Sequence, residues 1–99
     1  MAERAIYGRR ISSEEAREGY IMVLKSRLAF FPPVKRGFEL VGSDLRRRVR
    51  VESYRCTCRG PDSPHEHYFI RWKGLRSKDR IEIEKDARRR GRYHIRIHR

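Results

Sequence analysis

The chain has 99 residues, and its 26 Lys and Arg against 13 Asp and Glu give a formal charge of +13. At this length there is one domain with a small core, since folding buries only about 60–65% of the surface the unfolded chain exposes. No apolar run approaches the roughly 20 residues that cross a bilayer and no signal-peptide pattern opens the chain, so the expectation is an intracellular protein, cytoplasmic or nucleoid-associated, with no membrane partner.

Residues 1–11 carry Arg4, Arg9 and Arg10 without clear periodicity and read as a basic N-terminal arm, leaving 12–99 as a single nucleic-acid-binding domain. Ser12-Ser-Glu-Glu15 has the capping-box spacing that opens a helix. Ala16, Tyr20, Val23, Leu24, Leu28 and Phe31 then recur at helical spacing, and Pro32-Pro33 closes the run. The pattern predicts a helix over about 13–30. Gly19 and the run Tyr20-Ile-Met-Val-Leu24 speak for a strand instead, since glycine costs about 1 kcal/mol inside a helix.

After the prolines the period becomes two. Strands are expected at 38–41, 46–58, 65–72, 80–84 and 92–98, with turns at Gly42-Ser-Asp44, Arg59–Pro64, Gly74–Asp79 and Lys85–Gly91. The resulting fold class is α+β, with one N-terminal helix packed on a curled five-strand antiparallel sheet or small barrel.

The 46–58 and 65–72 strands form a hairpin with two faces. Centring its loop on Pro61-Asp62 places Cys56 opposite His67, Cys58 opposite His65 and Tyr54 opposite Phe69. One face carries Val49, Val51, Ile70 and Trp72 and is assigned to the core, together with Ile81, Ile83, Tyr93, Ile95 and Ile97. The other grades from Arg48, Arg50, Arg71 and Lys73 through Tyr54 and Phe69 to the cysteines and histidines.

That second face suits nucleic acid, with cations on phosphates and the two rings stacked on bases. Its competitor is a helix packed over Tyr54 and Phe69, with Glu52 and Arg71 as a cross-strand ion pair. Further phosphate contacts are expected from Arg46, Arg47, Arg88, Arg89, Arg90, Arg92 and Arg96, because a basic excess of this size concentrates polyanions and binds them through counterion release. Arginine far outnumbers lysine, and Asn and Gln are absent, as in GC-rich genomes or thermophiles.

Cys56, Cys58, His65 and His67 offer two thiolates and two imidazoles, a complete donor set for a structural zinc, the one cofactor expected. Bound zinc would stabilise so small a domain. On a flat hairpin the four Cβ atoms outline a rectangle of about 5 by 6.7 Å, which a 2.0–2.3 Å coordination sphere fits only if the tip curls. The alternative keeps the cysteines as small half-buried residues and His65-Glu-His67 as a solvated shoulder. A disulfide between Cys56 and Cys58 is disfavoured, because strand neighbours two apart sit at the limit of its reach.

Val51-Glu-Ser-Tyr54 and His67-Tyr-Phe-Ile-Arg-Trp-Lys-Gly-Leu75 resemble the paired strands of the chromodomain. The resemblance implies a small SH3-like barrel. The family's methyl-lysine cage is matched only at Trp72, with Leu75 and Val49 standing where aromatics would be and a strand expected in place of the C-terminal helix. The Cys-x-Cys and x-His end also resembles part of a SWIM zinc finger, with His65-Glu-His67 where that family has Cys-x-His.

The leading expectation is a non-enzymatic protein that binds DNA or RNA mainly through the phosphate backbone. Two other classes compete. A small basic toxin-type ribonuclease would use Tyr93, His94 and His98 for acid–base chemistry, and a subunit of a larger nucleoprotein or acidic protein assembly would present its charge to a partner.

Overall fold

The computed structural model describes residues 6–56 and 65–99. Instead of one helix on a five-stranded antiparallel sheet, these residues form two sheets around a shared core, and neither sheet closes into a barrel.

The helix is much shorter than its pattern predicts. Helix α1 covers only Ser13–Glu18. Its capping box is complete, with the Ser12 hydroxyl accepting from the Glu15 amide and the Glu15 carboxylate accepting from the Ser12 amide. Gly19 ends it in the left-handed region at φ 78°, its amide donating to the Glu15 carbonyl. A side chain here would be strained twice over, since a Cβ would also lie 3.2 Å from Lys73 Cγ.

Beyond Gly19 the apolar run alternates as strand β2, Tyr20–Val23, and Lys25–Phe30 winds as a 3-10 helix. Tertiary pairing decides between the two patterns: as a strand, Ile21 and Val23 are both buried in the core, while Tyr20 and Met22 turn outward.

Residues 6–10, expected within the basic arm, are strand β1 (Ile6–Arg10), which carries Tyr7 into the core. The later strands are β3 (Phe38–Val41), β4 (Arg46–Val49), β5 (Val51–Cys56), β6 (His65–Arg71), β7 (Arg80–Lys85) and β8 (Arg92–His98). The larger sheet runs β1-β7-β8-β3-β4 and the smaller β2-β6-β5.

The long strand expected over 46–58 is divided at Arg50, where the chain leaves one sheet and enters the other. Val49 pairs with Phe38 across the larger sheet, and Val51 with Ile70 across the smaller. Both valines face inward, which is why one extended segment can help to close the core from two sides. Four aromatic residues, Phe30, Phe31, Phe38 and Tyr93, fill one end of that core with ring centroids 4.9–6.1 Å apart.

One pairing is parallel. Strands β3 and β8 run side by side with Leu40 beside Tyr93, whereas all the other ladders are antiparallel. Both strands therefore start at the same end of the sheet, where β4 finishes.

Candidate nucleic-acid interface

The parallel pairing gathers cations that lie far apart in the chain. Glu39 on β3 has Arg48 as its partner on one side and Arg92 on the other, and its amide donates to the Gly91 carbonyl at 2.8 Å. The Lys35–Gly37 turn before β3, the Arg48–Arg50 end of β4 and the Arg88–Arg90 turn before β8 are therefore neighbours at one sheet end.

A groove of about 410 Å³ opens here, lined by Lys35, Arg47, Arg48, Arg50 and Arg71 with Glu52 as its one carboxylate. Lys35 takes φ 75°, and its amide is tied to the Val51 carbonyl at 2.8 Å. Gly37 leaves room for the Arg48 guanidinium, whose Nε would lie 3.0 Å from a Cβ at that position. No carboxylate pairs with Lys35, Arg47, Arg48 or Arg50 among the described residues.

Beside the groove, Asp86 shapes the second basic set. One of its carboxylate oxygens accepts from the amides of Arg88 and Arg89 at 2.8 and 2.9 Å, while the other meets His94 Nε2 at 2.7 Å. The His94 hydrogen bond, with the two amides behind it, lowers the Asp86 carboxyl to about 2. The turn is thus folded over an anionic cap, leaving Arg88, Arg89 and Arg90 exposed.

The outer face of the larger sheet differs. Arg92 meets Glu39 at 2.6 Å, Arg46 the same carboxylate at 3.6 Å, Arg96 meets Glu84 at 2.8 Å and His98 meets Glu82 at 3.0 Å. Arg92, Arg46 and Arg96, all expected to contact phosphate, have carboxylate partners within the fold. Arg92 also holds the Glu39 carboxyl below its ordinary range through its hydrogen bond.

On the smaller sheet the hairpin register is shifted by two residues from the one expected. Tyr54 faces His67, Phe69 faces Glu52, and Cys56 faces His65. A slip of two preserves the parity of a strand, so the two faces keep the composition read from the sequence while the individual pairs change. Tyr54 and Phe69 are diagonal neighbours with centroids 5.9 Å apart, and they are not covered by a helix: Tyr54 is 47% exposed. The Glu52–Arg71 ion pair is present at 3.2 Å, and Lys73 lies exposed beside Gly19 outside the groove.

In this register the backbone partner of His67 is Tyr54, not Cys56. Cys58 and the expected turn lie outside the described residues, and among the described residues no group of three or more His, Cys, Asp or Glu side chains is placed to hold a metal ion. Tyr93 is in the core, its hydroxyl donating to the Phe30 carbonyl at 2.7 Å, which removes it from any acid–base site. Trp72 is likewise a core residue, 3% exposed. No helix among the described residues is long and apolar enough to cross a membrane.

Lys35 is not among the cations expected from the sequence to contact phosphate, although its position between two prolines and a glycine marks a turn. Its proximity to Arg48 depends on the β3–β4 ladder, which no local pattern announces. In comparisons with protein-family models, curated proteins and solved structures, nothing matches the chain.

Proposed function

We propose that this chain is a non-enzymatic nucleic-acid-binding protein that holds the phosphate backbone at the sheet end formed by Lys35, Arg47, Arg48, Arg50 and the Arg88–Arg90 turn. The observation that carries the proposal is the clustering of cations without carboxylate partners among the described residues at the end where β3 and β8 start in parallel. An arginine already bound to a carboxylate must give up that partner to take a phosphate. Lys35, Arg47, Arg48 and Arg50 have no carboxylate to give up among the described residues, so each phosphate contact they make keeps the full gain from the counterions the nucleic acid releases.

The test is a titration of labelled duplex and single-stranded nucleic acid at a series of salt concentrations. Affinity should fall steeply with salt, and Arg48→Ala and Arg50→Ala should each lower the slope of log K against log salt by about one unit. A slope near zero would overturn the proposal. RNA from the same incubations should stay intact on a gel; cleavage lost in His94→Ala would instead establish a ribonuclease.

A further inference from the structure

The smaller sheet carries a second feature that phosphate binding does not use. On its outer face Phe69 lies between Tyr20 and Tyr54, with centroids at 5.8 and 5.9 Å and ring planes inclined by 71° and 64°. Rings set this steeply to one another make a notch rather than a flat platform. The notch, about 270 Å³, is completed by Glu14 and Glu18 from α1 and by Arg71. Tyr20 is held there by a 2.8 Å hydrogen bond to Glu14, and burial, reinforced by that carboxylate, pushes its hydroxyl up to about 12.

Charge determines what the notch can take. Glu14 and Glu18 stand at its rim and Glu52 pairs with Arg71 at its side. A phosphate would be repelled by carboxylates on this side, whereas a neutral base presents a π-face to the rings and amino groups to the acids. Arg71 lines both the notch and the basic groove, its guanidinium 5.4 Å from the Phe69 centroid. A strand whose phosphates lie on Arg48 and Arg50 thus passes directly alongside the aromatic notch.

We infer that the protein binds single-stranded nucleic acid, with one unstacked base inserted among Tyr20, Tyr54 and Phe69 while the neighbouring phosphates occupy the groove. The inference rests on the phosphate-binding reading and adds strand selectivity to it. A duplex keeps its bases stacked and offers the notch nothing, so it engages only the groove.

The experiment compares three fluorescently labelled DNA ligands of equal length: a mixed-sequence single strand, the same strand with abasic residues throughout, and a duplex. The single strand should bind about tenfold more tightly than the abasic strand, a difference of the size one base–aromatic stack supplies, with the same salt slope. Tyr54→Ala should reduce the single strand to the abasic affinity with the slope unchanged, and Phe69→Leu, which keeps an apolar side chain in place, should do the same. Equal binding of single and abasic strands, or no effect in both variants, overturns the inference and leaves the phosphate reading standing. Loss of binding in every arm overturns both.

Discussion

The two basic surfaces of this protein are built from the same residue type and differ in what faces each arginine. On the outer face of the larger sheet, Arg46, Arg92 and Arg96 have Glu39 or Glu84 within 3.6 Å. In the groove at the sheet end, Lys35, Arg47, Arg48 and Arg50 have no such partner among the described residues. A formal charge of +13 is therefore a poor measure of the charge a ligand meets. Acids on β3 and β7 opposite bases on β4 and β8 turn one surface into a cross-strand ladder of ion pairs, while the acid-free Arg47–Arg50 segment leaves the other open.

The largest effect should come from emptying the groove. Combined Arg47→Ala, Arg48→Ala and Arg50→Ala should lower the salt slope by close to three units and weaken binding about a thousandfold at low salt. Their solvent-facing side chains have no ion-pair partner among the described residues, so the thermal midpoint should move little. A variant that bound normally would remove the groove from the interface.

The converse case is Glu15, a charge wholly committed to the fold. Its carboxylate, 2% exposed, accepts from Arg9 at 2.9 Å, from the Ser12 amide and hydroxyl, and from the Met22 amide at 2.7 Å. It ties β1, α1 and β2 together. Glu15→Ala leaves Arg9 and two amides without their acceptor and should destabilise the domain by about 3–5 kcal/mol, read in chemical denaturation. Binding at temperatures where the variant remains folded should be unchanged, which separates this class of charge from the groove.

Between these extremes lies the Arg88–Arg90 turn, whose exposed cations are held by the half-buried Asp86. The Asp86 carboxyl is lowered in the folded protein, so its contribution to stability is present above the ordinary aspartate range and is lost as pH falls from about 4 to about 2. The thermal midpoint should fall over that window. In Asp86→Asn part of this acid sensitivity should disappear, the Glu39 share remaining because its carboxyl is lowered too. An unchanged profile would show that the turn does not depend on the Asp86 cap.

Much of the hairpin was legible because strand parity is a local property. Ile81, Ile83, Ile95, Val51, Ile70 and Trp72 were assigned to the core from alternation alone and are buried, though Ile97, assigned with them, is 36% exposed at the end of β8. The capping box at Ser12 was legible for the same reason. What was hidden depends on partners far along the chain. Tyr20–Val23 satisfies helical spacing and strand alternation equally, and only pairing with β6 decides. Residues 1–11 read as a basic arm, but the Tyr7 hydroxyl donates to the Met22 carbonyl and accepts from the Leu24 amide, joining β1 to β2. The exchange of sheets at Arg50 and the parallel β3–β8 ladder leave no mark on composition, and they are what assemble the groove.

The smallest effects should come from the paired face, and they test the comparison most closely. Arg96→Ala removes an exposed cation whose carboxylate partner already offsets it, so the salt slope should change by much less than one unit and stability by about 0–1 kcal/mol. Removing the acid should do the reverse. In Glu84→Gln the Arg96 guanidinium loses its partner, and in Glu39→Gln both Arg92 and Arg46 are released next to the groove. Glu39→Gln should therefore raise the salt slope, and by more than Glu84→Gln, because Glu39 lies beside Arg48 and Gly91 at the binding end whereas Glu84 lies farther along the sheet. If the two substitutions raised the slope equally, total charge rather than its position would govern binding, and the distinction between the two surfaces would fail.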